Sequence, residues 1–224
     1  MTATNRAPAL DLATYGISIL IIGTGLGVLV AGPDALMPVH WNLHGDADGW
    51  AGRELVGLMI VALGLVNLLL AGGLGLFAAR SKDPARRRAL RFGQLVVLLT
   101  LTGVTLFAGG SSLSGAVTIR TAIPMAGLSL IFVLTGAFLG RVGPNPIVGV
   151  RTPWSYKSRL AWDRSNRLAG RLFFLIGLAG LATAPWAIQP AALIALVVAV
   201  LIAALWSAVE SWRVWRTDPD RQPF

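Results

Sequence analysis

Apolar and polar positions alternate in long blocks along the chain. Apolar runs lie near 12–32, 55–79, 92–110, 122–140, 168–187 and 190–212. Each approaches the roughly 20 residues that a helix needs to cross a hydrocarbon core of about 30 Å. The first run is longer than the apolar core of a signal peptide, and Arg6 and Asp11 make a poor leader for one. The pattern therefore predicts an all-α membrane protein with six transmembrane helices. It divides into a first helical hairpin over 10–80, carrying an extracellular loop, and a four-helix region over 90–215, carrying a cytoplasmic loop at 141–171.

Composition agrees with that reading and excludes others. Hydrophobic residues are 55% of the 224, charged residues only 13%, and the mean hydropathy is +0.69. A soluble domain carries about a quarter charged residues, and a disordered chain is far less apolar. The net charge of +9 could suggest nucleic-acid binding, but the cations sit between the apolar runs, so no direct nucleic-acid partner is expected. The absence of cysteine removes disulfides and thiol chemistry. Of the 19 cations, 17 fall in the N-terminus, in 80–91, in 141–171 and in the C-terminal tail, leaving Arg53 and Arg120 on the other side. The positive-inside rule then puts both termini in the cytoplasm, as an even number of spans also requires. Trp41, Trp50 and Trp186 fall near the outer boundary and Trp154, Trp162, Trp212 and Trp215 near the inner one, where indoles anchor at headgroup level. Glycine runs such as 23–27 and 72–75 read as close helix packing rather than phosphate loops.

Two loops depart from generic connectors. The outer one, Pro33 to Trp50, gathers both histidines with Trp41, Asn42, Asp46 and Asp48. Three readings stand for it. His40, His44 and Asp46 supply imidazole and carboxylate donors for a divalent metal. Alternatively His40, Trp41, Asn42, His44, Asp46 and Asp48 form an extracellular recognition surface, or the Asx side chains simply cap turns around Gly45 and Gly49. In the last two cases Trp41, Asn42, His44 and Asp46 fold against the outer helix ends. No metal or other cofactor is assigned.

The inner loop reads Asn145-Pro-Ile-Val-Gly149-Val-Arg151-Thr152-Pro153-Trp154-Ser155. Pro153 biases Thr152 toward extended backbone. Ser158 is placed to cap a helix over 158–170 that runs into the fifth span, with Arg159–Asp163 and Asp163–Arg167 at i,i+4 spacing. Arg164, Arg167 and Arg171 share one face of it and can reach lipid phosphates, which makes this a short interfacial helix on the cytoplasmic side. The Arg151 guanidinium can bind lipid phosphate or a peptide carboxylate, or can pin the loop to backbone carbonyls.

This inner stretch, followed by Trp162 and by Arg167 to Gly170, resembles the signature of the SdpI family. Its members are bacterial membrane proteins named for an immunity protein against a secreted peptide toxin. The outer loop from Pro38 to Trp50 resembles the uncharacterised domain that often precedes that signature. The resemblance implies a multi-pass plasma-membrane protein that protects against a secreted peptide toxin and signals its presence by holding a cytoplasmic repressor at the membrane. It implies functional roles for Asn145, Gly149, Arg151, Thr152, Pro153, Trp154 and Trp162. Two positions depart from the family pattern: Asn166 stands where histidine is usual, and Pro146 replaces a bulkier residue.

Functions of other classes have weaker sequence support. A transporter or lipid-handling protein needs an ionisable or broken helix at mid-bilayer. Asn67 is the central polar residue, and it reads as a cross-helix hydrogen-bonding group. Asp11, Gln94 and Glu210 sit at span ends, within reach of water. No Ser-His-Asp set, His-Glu-x-x-His motif or P-loop is present, so an enzyme is not expected, and an outward metal hydrolase is the least favoured reading.

Overall fold

The computed structural model describes residues 9–141, 143–145 and 147–222; Arg6 and Pro146 lie outside them. Its residues group into two compact units, one of Met1–Arg80 with Gly93–Ile119 and one of Ser81–Phe92 with Arg120–Phe224.

In the first unit, α1 (Ala9–Ala31) packs along α2 (Arg53–Asn67). The two backbones nearly touch: a Cβ on Gly25 would stand 2.7 Å from the Val61 amide nitrogen, and one on Gly57 would stand 2.9 Å from the Gly25 carbonyl. Gly23 and Gly27, in the same run as Gly25, meet nothing within 4 Å, so one glycine of the run makes the contact. A π-turn over Leu68–Gly72 carries α2 into α3 (Gly73–Arg80) without a break. A second π-turn, Thr105–Gly109, joins α4 (Pro84–Val104) to α5 (Gly110–Leu113).

The outer loop corrects the purely helical expectation. It forms a two-stranded antiparallel sheet of β1 (Met37–Trp41) and β2 (Ala47–Ala51), with bulges on either side of His40. Met37 and Ala51 drop into an apolar core with Ile21, Val28, Val56 and Ile60, which seats the hairpin on α1 and α2. At its turn, Gly45 takes φ +94°, a conformation glycine adopts without strain.

In the second unit, α6 (Ala122–Leu139) packs on α8 (Arg159–Thr183), and α8 packs on α9 (Ala191–Thr217). Small residues set the spacing of α6 and α8. A Cβ on Gly136 would run into the Phe174 amide nitrogen, and one on Gly177 would lie 2.6 Å from the Ser129 carbonyl. Without a hydrophobic force between helices in lipid, such close backbone approach is what drives association.

Among the described residues, five helical stretches are long and apolar enough to cross a membrane: Ala9–Ala31, Arg53–Arg80, Pro84–Leu113, Ala122–Leu139 and Ala191–Thr217. The chain is a multi-pass helical membrane protein. The stretch expected as the fifth of six spans is α8, whose first half carries Arg159, Asp163, Arg164, Arg167 and Arg171. That charge separates it from the five.

The polar residues of the spans also differ from expectation. Asn67 is fully buried, and among the described residues neither atom of its amide has a hydrogen-bond partner, so it does not bond across helices. Asp11 and Gln94 are buried rather than wet. The Gln94 amide donates to Asp11 at 2.9 Å and to the Thr14 hydroxyl at 3.1 Å, beside Gly75, where no side chain stands in the way.

Candidate functional site

The signature loop is a densely bonded knot between α6 and α8. Asn145 is buried and acts as a hub. Its carbonyl oxygen accepts from the Ile147 and Val148 amides, both at 2.9 Å, while its amide donates to the Gly143 and Val148 carbonyls, both at 3.0 Å. All four bonding directions of one side chain are spent on folding the loop over itself, satisfying backbone groups that helix and sheet leave orphaned.

Gly149 comes next, at φ +135°. A Cβ there would stand 2.6 Å from Asn166 Oδ1 and 3.1 Å from the Trp162 ring, so this glycine is needed both for its backbone and for its lack of a side chain. The close approach lets the Val150 amide donate to Asn166 Oδ1 at 2.8 Å, while Asn166 donates to the Trp162 carbonyl at 3.0 Å. Asn166 thus stitches the loop to α8. Trp162 is fully buried, so it is a packing post for the loop and not the interfacial anchor that its position suggested. Its ring lies 5.8 Å from that of Tyr156.

Thr152 is extended, as Pro153 requires, but residues 153–157 then form a short helix, α7 (Pro153–Lys157), which sequence reasoning missed. A visible signal was present: Thr-Pro-Trp-Ser places a capping residue, a proline at N1 and a polar N3 in order. The Ser155 amide donates to the Thr152 hydroxyl at 3.1 Å, and the Thr152 amide donates to Ser155 Oγ at 3.0 Å. The Thr152 hydroxyl also meets that of Ser211 on α9 at 2.6 Å. Ser158 caps α8 as expected, accepting from the Ala161 amide at 2.9 Å, and its hydroxyl donates to the buried Asp218 beyond α9. Ser211 and Asp218 were not singled out from the sequence. The recurrence of serine at 207 and 211 in an apolar helix was the available signal.

Helix α8 is continuous from the loop through its apolar half, as expected. Arg159 and Asp163 pair at 3.4 Å, and this takes the one carboxylate of the helix, leaving the expected Asp163–Arg167 pair unformed. Of the signature residues, Arg151 and Pro153 are exposed and Trp154 is half-buried, beside an exposed Tyr156. Arg151 and the aromatic edges of Trp154 and Tyr156 thus reach the surface of a rigid support.

The outer hairpin brings together fewer of its candidate residues. The Trp41 indole donates to the Ala116 carbonyl at 2.9 Å, and the Asn42 side chain accepts from the His44 and Asp46 amides at 2.8 and 3.1 Å. The Ala47 amide donates to the Val117 carbonyl and the Ile119 amide to the Gly45 carbonyl, both at 2.8 Å, so residues 117–119 fasten the turn. Trp41 and Asn42 fold down as expected, whereas the side chains of His44 and Asp46 are exposed, because their backbones alone are used in the turn. His40 pairs with Asp48 across the hairpin. Among the described residues no group of three or more His, Asp or Glu side chains is placed to hold a metal ion, so His40, His44 and Asp46 do not converge.

Set among membrane helices, this interlocked loop is a compact structural module. Residues 141–209 match the model of the SdpI/YfhL protein family, and that segment contains the signature loop whose resemblance to the family was noted in the sequence. That is a family of membrane immunity proteins. No curated protein and no solved structure matches the chain.

Proposed function

We propose that this protein acts without catalysis in a bacterial plasma membrane, sensing or neutralising a secreted antimicrobial peptide. In this reading α8 is a sixth span whose charged first half, residues 159–170, lies at the cytoplasmic interface, and both termini are cytoplasmic. The outer hairpin, with His40, Trp41, Asn42, His44, Asp46 and Asp48, meets the peptide. The inner loop presents Arg151, Trp154 and Tyr156 to a cytoplasmic partner, such as a repressor held at the membrane.

The observation that carries this reading is the segment 141–209, where the family match coincides with a loop whose buried residues are all committed to holding its shape. Such a loop is pre-organised for recognition. Arg151 is the side chain on which the reading depends, because its planar fork of five donors cannot be reproduced by lysine. Arg151→Lys is expected to abolish protection of peptide-challenged cells while the protein still accumulates in the membrane, checked by survival counts and immunoblotting of membranes. If accumulation falls instead, Arg151 holds the loop and presents nothing.

A transporter is the second reading, favoured by two π-turns and by the buried, unpartnered Asn67 beside one of them. Solute uptake into vesicles containing the purified protein, with no protection against any peptide, would put that reading first.

A further inference from the structure

We propose that the groove where α6 meets α8 binds an anionic phospholipid, with its phosphodiester held by Arg141, Arg167 and Arg171 and an acyl chain lying over Phe174 and Leu175. These five residues line one cavity of about 520 Å³, floored by Gly136, Gly140 and Gly170. The glycines explain why the space exists. They bring the helices together backbone to backbone and leave no side chains to fill the groove above the contact.

Charge argues for the occupant. Three guanidinium groups lie around one cavity, and among the described residues none of them pairs with a carboxylate. The only acid of α8, Asp163, is engaged by Arg159. Clustered like charges repel unless a negative group stands among them, and planar guanidiniums match phosphate oxygens in pairs. The order of residues argues for a lipid over a free anion. Arg167 and Arg171 are one turn apart on α8, and Phe174 and Leu175 lie on the same face one turn further, in its apolar half. Both are exposed, Leu175 to 59%. A cationic mouth over an apolar lane fits a headgroup with its chain, and inorganic phosphate would leave the lane unused. Basic pockets at the ends of membrane helices hold anionic headgroups in this way.

The test is native mass spectrometry of the full chain in detergent, titrated with dioleoylphosphatidylglycerol, dioleoylphosphatidylcholine or inorganic phosphate. The glycerol lipid is expected to form a one-to-one adduct at about a tenth of the concentration needed for the choline lipid, equivalent to one charge-assisted contact. Arg167→Gln combined with Arg171→Gln should abolish that preference, while Arg120→Gln, outside the groove, should keep it. Leu175→Asn should weaken the dioleoyl lipid and leave dihexanoylphosphatidylglycerol unaffected. Equal retention of the two dioleoyl lipids overturns the proposal, and so does a preference that survives the double substitution. Displacement of the glycerol lipid by equimolar inorganic phosphate would make this a phosphate site and also overturn it. If the double variant does not fold, the preference of the unsubstituted protein between the two lipids decides.

Discussion

Gly149 and Asn166 form one device. The left-handed backbone at Gly149 brings the Val150 amide onto Asn166 Oδ1, and the absence of a Cβ leaves room for the Trp162 ring beneath it. A side chain at such a backbone position costs about 1–3 kcal/mol before any clash is counted. Gly149→Ala is therefore expected to lower the unfolding temperature of the purified protein, and Asn166→Ala to lower it comparably, since an orphaned buried amide costs about 1–3 kcal/mol. Because the two residues serve one contact, the double variant should lose less than the sum of the single losses, which thermal unfolding in detergent can measure. Additive losses would mean that the residues act separately. The Asn166 amide suits this stitch because it supplies the acceptor and the donor at once.

At the scale of elements, α6 offers opposed predictions within one helix. Gly136 lies against the α8 backbone, whereas Gly127 has nothing within 4 Å of where its Cβ would be. Gly136→Ala should destabilise the protein by about 1–3 kcal/mol through overpacking. Gly127→Ala should stabilise it by up to about 1 kcal/mol through helix propensity alone. Unfolding in denaturant, followed by circular dichroism, compares the two. The caps of α7 and α8 make a second case. Thr152→Ala and Ser158→Ala each remove a hydroxyl that accepts an amide at a helix start, for about 1 kcal/mol apiece. Ser158→Ala should cost more than a cap alone, because it also leaves the buried Asp218 without that hydroxyl.

For the whole molecule, the number of bilayer crossings and their sense can be read by site-specific labelling. The chain has no cysteine, so any introduced one is a unique label. Asp46→Cys and Trp186→Cys are expected to react with a membrane-impermeant maleimide in intact cells. Arg86→Cys and Arg164→Cys are expected to react only after the cells are opened. This pattern is dictated by six spans and by the one-sided placement of arginine. Reaction of positions 164 and 186 from the same side would leave α8 on the surface of the bilayer and reduce the count to the five apolar stretches.

What the sequence determined by itself is the membrane character, the position of the apolar helices and the existence of two unusual loops. These depend on local quantities: run length, composition, and the choice of Ser158 at a helix start. The hairpin was less legible, because its register rests on Met37 and Ala51 finding a core formed by Ile21, Val28, Val56 and Ile60, residues distant in sequence. The partners of the signature loop were also beyond local reading. That Asn166 receives Val150, that Thr152 meets Ser211 and that Ser158 meets Asp218 depends on how α8 and α9 pack against the loop. Hydrogen-bonding capacity is written in each residue, but the partner is chosen by tertiary proximity. The same holds for Trp162, a surface anchor by position in the chain and a buried post in the fold, because the missing Cβ at Gly149 lets the loop close over it.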